Sequence, residues 1–157
     1  MDTHSSEPVH LIEYETMLMG RYSHLAPAPC GLESLERGPH LLLSRLHAEG
    51  PMTIRQLSET FRLDPSTLNR QTSALMRDGL VERIPDPQGG IARKFRITDK
   101  GEACLEERRE RTINSLREIL ADWSPQDAAA FAAYLHRFNT DVERRSGRPW
   151  PRPTHAR

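Results

Sequence analysis

The sequence predicts a mainly α fold carrying one small β-hairpin, an α+β class. Two capped helical segments separated by a tight turn occupy residues 53–78. Two short alternating segments around a Pro- and Gly-rich turn follow at once, over 80–97. Long helical stretches outside this core repeat apolar residues at the spacing of helix-on-helix seams.

Residues 1–8 read as a flexible polar leader. From 9 to 25, Leu11, Tyr14, Leu18, Tyr22 and Leu25 recur every three or four positions, one stripe of a helix. Pro27 and Pro29 break it, because proline disfavours helical backbone before it. A short turn at 32–36 precedes a second helix over about 38–48, where Pro39 fits only the first turn and Gly50-Pro51 ends it. Thr53-Ile54-Arg55-Gln56 has the form of a capping box. The helix it opens, to about Thr60, sets Ile54, Leu57 and Phe61 on one side. Phe61-Arg62-Leu63 turns the chain into Asp64-Pro65, an N-cap acid followed by proline at the first helical position. The next helix runs to about Asp78 and stops at Gly79. Its apolar positions are Leu68, Leu75 and Met76; its other face is Ser66, Thr67, Asn69, Arg70, Thr72, Ser73 and Arg77.

The period then changes. Residues 80–84 and 92–97 alternate like strands on either side of a turn at 85–90, a hairpin directly behind a helix-turn-helix. Thr98 caps a long helix to about Asp122, with Leu105, Thr112, Leu116, Ile119 and Trp123 near a 3.5-residue spacing. Ser124-Pro125-Gln126-Asp127 opens a last helix bearing Ala128, Phe131, Leu135, Phe138 and Val142. The order describes a winged helix-turn-helix core on a helical dimerisation frame. Its parts are the leader 1–8, an N-terminal dimerisation helix and loop 9–34, the winged core 35–101, C-terminal dimerisation helices 102–145 and a basic Pro/Arg tail 146–157.

Composition narrows the function. The 157 residues are 36% hydrophobic and 28% charged, with a mean hydropathy of −0.66, so a monomer would have a thin core. No stretch is apolar and long enough for a membrane span, and residues 1–10 lack the features of a signal peptide. Two cysteines, Cys30 and Cys104, make no disulfide framework, which points to a reducing cytoplasm. The zero net charge hides a distribution: residues 53–101 hold nine Lys+Arg against six Asp+Glu, and 144–157 hold five Arg and no acid. His 4, 10, 24, 40, 47, 136 and 155 are scattered without metal-ligand spacing. There is no Gly-rich phosphate loop and no nucleophile elbow. The expectation is a protein with no metal, no cofactor and no enzymatic activity.

Four segments in order resemble the MarR family of transcriptional regulators. Gly50-Pro51-Met52-Thr53-Ile54-Arg55-Gln56-Leu57-Ser58-Glu59 resembles the first half of its helix-turn-helix, and Leu63-Asp64-Pro65-Ser66-Thr67-Leu68-Asn69-Arg70 its recognition helix. Asp78-Gly79-Leu80-Val81-Glu82-Arg83 and Ile97-Thr98-Asp99-Lys100-Gly101 resemble the wing's first strand and the exit from its second. The match covers about 35–101 residue by residue, and the outer helices by length and order. The resemblance implies a homodimeric regulator, usually a repressor, that responds on operator DNA to a small molecule or oxidant.

Elementary chemistry fits that implication. A helix N-terminus at Asp64 offers amides to phosphate, and Ser66 and Thr67 add hydroxyls. Asn69, Arg70, Thr72 and Ser73 are candidates for the major groove, where Asn pairs with adenine and Arg with guanine at roughly 1–3 kcal/mol of discrimination each. Thr53, Arg55, Arg77 and Arg83 complete the helical and strand candidates. Family wings commonly carry an Asp-x-Arg tip for the minor groove; here Gly89 and Gly90 stand there, leaving Arg93, Lys94 and Arg96 as substitutes. In an alternating strand Arg93 faces away from Lys94. The other reading of the polar helix face is a solvated surface, or a winged-helix module that binds protein.

Leu11, Leu18, Leu116, Ile119, Phe131, Leu135 and Phe138 are the expected dimer seam, because these stripes exceed what the winged core can cover. Glu107 and Arg111 suit a salt-bridged solvated face. For sensing, the family's ligand mode points to Tyr14, Met17, Arg21, His24 and His40, with Arg21 suited to a small anionic aromatic effector. A redox mode would use Cys30 or Cys104, each of which reads equally as a packed thiol. The tail reads as disordered or as tracking phosphate, with Trp150 either free or docked on the frame.

Overall fold

The computed structural model describes residues 8–21 and 37–152. Tyr22, His24, Leu25, Cys30 and the turn at 32–36 therefore lie outside the described residues, as do residues 1–7 and 153–157, while Pro8, expected in the leader, begins α1. Helix α1 (Pro8–Arg21) is followed by α2 (Arg37–Glu49), α3 (Ile54–Phe61), α4 (Pro65–Arg77), strands β1 (Val81–Ile84) and β2 (Lys94–Ile97), α5 (Asp99–Ile119) and α6 (Pro125–Ser146). The protein is mainly helical with one antiparallel hairpin, as its sequence predicts.

The capping box forms: the Gln56 amide donates to Thr53 Oγ1 at 3.1 Å and the Thr53 amide to Gln56 Oε1 at 2.9 Å. Arg62, at φ 49° in the left-handed region, makes the turn into α4. The wing pairs Val81 with Ile97, Glu82 with Arg96, Arg83 with Phe95 and Ile84 with Lys94. The second strand is shorter than predicted; Ala92 and Arg93 precede it. A third backbone partner, invisible to the sequence reading, is Met52, which exchanges hydrogen bonds of 3.1 and 2.8 Å with Phe95 and ties the start of the helix-turn-helix to the wing.

The core sits under this lobe. Leu42, Leu43 and Leu46 of α2 meet Leu57, Leu68, Leu75, Leu80, Val81 and Phe95, and Cys104 of α5 closes it. Cys104 is 1% exposed, so the candidate redox thiol is a packing group without the access a sensor needs. Thr72 is also 1% exposed, and its hydroxyl donates to Leu68 O at 2.8 Å. This corrects its assignment to the outward face: Leu68, Thr72 and Leu75 follow one another by four and three residues, the spacing of a buried stripe.

The wing meets α5 at a tight junction. Thr98 accepts the Gly101 amide at 3.1 Å, donates its hydroxyl to Gly79 O at 2.7 Å and gives its own amide to Leu80 O. Lys100 adds a bond to Asp78 O at 2.9 Å. A Cβ on Gly101 would stand 2.2 Å from Leu80 O and 2.7 Å from Ile97 Cγ1, so only glycine fits. Gly101→Ala is expected to lower stability by about 2–3 kcal/mol, the upper range for overpacking, read as a fall in the urea midpoint at unchanged slope.

Candidate nucleic-acid interface

Burial of Leu68, Thr72 and Leu75 leaves Ser66, Asn69, Arg70, Ser73 and Arg77 exposed along the opposite side of α4, with Thr67 half-buried. Asp64 holds the N-cap through its backbone, accepting the Thr67 and Leu68 amides at 3.0 and 3.2 Å, while its carboxylate makes no capping bond. Arg70 has no partner among the described residues, whereas Arg77 lies 3.6 Å from Asp78. Asn69 and Arg70 are thus adjacent, exposed and uncommitted. Nearby, Arg55 forms an ion pair with Glu59 at 3.0 Å, both in solvent and weakly coupled.

The wing distributes its cations differently from the sequence reading. Lys94 is not a free phosphate contact: its ammonium meets Asp86 Oδ1 at 3.0 Å with 12% and 14% of the two side chains exposed. Arg96 gives two bonds to Glu82 Oε1, at 2.9 and 2.6 Å. Arg83 lies 5.2 Å over the Phe95 ring and stays exposed. Arg93 is off the strand, so the alternation expected between it and Lys94 does not apply; it is exposed and has no partner among the described residues. Asp86 organises the tip. Its carboxylate accepts the Gln88 amide at 3.0 Å, the Lys94 ammonium and the Gly90 amide, which together hold it below the usual carboxylate range. A Cβ on Gly90 would come within 2.2 Å of Asp86 Oδ2, which explains the glycine at that position. Between the tip and the start of α3 lies a cleft of about 620 Å³ lined by Thr53, Arg55, Arg83 and Arg93.

The C-terminal segment is docked, where its sequence leaves a free and a docked Trp150 both open. Gly147 ends α6, the Trp150 amide donates to Glu143 Oε2 at 3.2 Å, and Arg152 reaches back to Glu143 at 2.6 and 3.0 Å. Trp150 sits on the winged lobe, not on the frame. Its ring is 5.8 Å from that of Phe61, and Arg45 stacks 5.1 Å over it while donating to Pro149 O. Trp150 and Arg152 are therefore committed to protein, not to phosphate tracking.

Of the candidate effector residues, Tyr14 and Met17 are exposed on α1, and His40 lines a cavity. That cavity, about 640 Å³, lies between α2, α5 and the C-terminal segment, with Arg108, Arg109, Thr112, Trp150 and Arg152 in its wall. Arg21 and His24 fall outside the described side chains. On the frame Leu11, Leu116, Ile119, Phe131 and Phe138 are exposed and Leu18 and Leu135 half-buried; Trp123 packs 5.5 Å from Phe131 where α5 and α6 meet. Among the described residues no His/Cys/Asp/Glu group could hold a metal ion, and no helix is long and apolar enough to cross a membrane.

The sequence model described as MarR family matches residues 35–89. The uncharacterized HTH-type transcriptional regulator YxaD of Bacillus subtilis (strain 168) is 36% identical over 136 residues, covering 86% of this chain and 95% of that protein. The structure of a MarR family protein from Bacillus stearothermophilus is similar at a TM-score of 0.69 and 23% identity, covering 87% of this chain and 97% of the other. The PcaV transcriptional regulator from Streptomyces coelicolor, solved in complex with its natural ligand, is similar at a TM-score of 0.59 and 24% identity over 91% and 99% of the two chains.

Burial, and then the nearby Arg108, lower the His40 pKa from 6.5 to about 4. Between those values the unfolded chain takes up a proton that the folded one refuses, so stability falls as pH drops through that window. Urea midpoints for the wild type are expected to decline from pH 7 to pH 4, and His40→Gln is expected to flatten that slope.

Proposed function

The chain belongs to the MarR family, and from that premise we propose that it is a homodimeric, ligand-relieved repressor that reads operator DNA with the outer side of α4. It is a DNA-binding transcriptional regulator, and as a member of this family not an enzyme. The observation that carries the detailed reading is the adjacent pair Asn69 and Arg70, exposed and uncommitted on a helix whose other side is locked into the core. An unpaired guanidinium is free to grip guanine O6 and N7, and an exposed amide to pair with adenine. Ser66, Thr67, Ser73, Arg77 and the amides after Asp64 set the register on phosphate, joined by Thr53, Arg55, Arg83 and Arg93 around the cleft under the wing. Arg96, shared with Glu82, contributes less.

Dimerisation follows from exposed apolar surface. Leu11, Leu116, Ile119, Phe131 and Phe138 are exposed among the described residues, and a two-fold partner burying them would also present two copies of α4 to successive major grooves. Ligand response is supported by the cavity beside His40, whose walls belong to both the lobe and the frame and where Arg108 suits a small aromatic anion. A ligand shifts the DNA-binding equilibrium only by as much as it favours one arrangement of those walls. The work is done in the cytoplasm, where the DNA is.

Binding is tested with a duplex selected by the full chain from a random-sequence pool. Arg70→Ala should cost about 1–3 kcal/mol and relax preference at one base position, while Arg83→Ala should weaken all sequences alike and reduce the salt slope by about one. An Arg70→Ala protein with an unchanged ratio of specific to random affinity contradicts the reading of α4. Leu116→Asp combined with Ile119→Asp should convert a sedimenting dimer to monomer; an unshifted species would place the seam elsewhere.

A further inference from the structure

We propose that Ile91 is an apolar wedge that the wing sets into the minor groove, a role that rests on DNA reading by α4. Ile91 is fully exposed, more so than any other large apolar residue among those described. Most of the others lie on α1, α5 and α6, where a second copy would cover them; Ile91 lies on the wing. Its neighbours Gly89, Gly90 and Ala92 are small, so it stands alone on a narrow tip.

That tip is rigid. The Asp86 carboxylate meets the Gln88 and Gly90 amides and the Lys94 ammonium, Pro85 and Pro87 flank the acid, and Gly90 lies close against that carboxylate. These bonds lower the ordering cost of presenting Ile91. Charge gives the same direction. Lys94 and Arg96 are neutralised by Asp86 and Glu82, which leaves Arg93 as the uncommitted cation beside the tip. A tip with no cation of its own and one bare β-branched side chain is suited to pressing between base steps. Apolar side chains in the minor groove act in this way, partly unstacking the step, and pyrimidine–purine steps yield most readily. Arg93, two residues on, reaches the flanking phosphate.

The test uses the selected duplex and the full chain. Ile91→Ser is expected to weaken binding about tenfold with the salt slope unchanged, because an apolar contact releases no counterion; Arg93→Ala should make the slope shallower by about one. Replacing flanking A·T pairs by G·C should weaken the wild type, and inosine·C, which lacks the minor-groove amino group, should restore it; Ile91→Ser should lose that discrimination. Undiminished binding by Ile91→Ser, or a loss accompanied by a changed slope, overturns the wedge. If Arg70→Ala loses specificity while Ile91→Ser matches the wild type, the wedge alone fails. If the pool yields no duplex, the reading of α4 fails and takes the wedge with it.

Discussion

Leu68, Thr72 and Leu75 press α4 against α2, α3 and the first wing strand, and this burial decides which side chains remain to meet a partner. A helix rotated by one residue towards Asn69 would swing the leucines off the core and turn Asn69 and Ser73 inward. The contact is almost dry, with Thr72 turning its hydroxyl back onto the Leu68 and Asn69 carbonyls so that no polar group is left unsatisfied. Each element around α4 serves this placement: the capped start of α3, the left-handed Arg62 and the Met52–Phe95 bridge all fix the lobe from which it projects.

The lobe is joined to the long helices in two places. At one, Thr98, Lys100 and Gly101 bind the end of α4 and the start of the wing to the first turn of α5. At the other, the segment after α6 folds back so that Trp150 rests against Phe61 and under Arg45, held by Glu143. Glu143 is kept ionised below the usual range, first by Arg152, so this second tie persists at neutral pH and loosens only in acid. The cavity beside His40 opens between these two ties. Whatever fills it touches α2, α5 and the strap together.

Much of this was legible in the chain. The capping box at Thr53, the Asp64-Pro65 helix start and the hairpin behind Gly79 were read from local patterns, because caps and turns depend on residues a few positions apart. Thr72 was misread because its hydroxyl outweighed its position on the apolar stripe. Lys94 was misread because its partner, Asp86, lies across the turn, and pairing between segments is not written in either one. Trp150 between prolines left a free and a docked tail both open; the signal that decides is Glu143, placed to catch both the Trp150 amide and Arg152 once Gly147 reverses the chain. The seam expected from period alone comprises five exposed residues, Leu11, Leu116, Ile119, Phe131 and Phe138, and two half-buried ones, Leu18 and Leu135.

The most direct measurement is a dimethyl sulfate footprint of the full chain on a duplex it has selected, since this reagent reports guanine N7 in the major groove. Two protected clusters on one face, about one helical turn apart, are predicted for two copies of α4 related by a two-fold axis. A single cluster, or none on a bound duplex, would contradict the account.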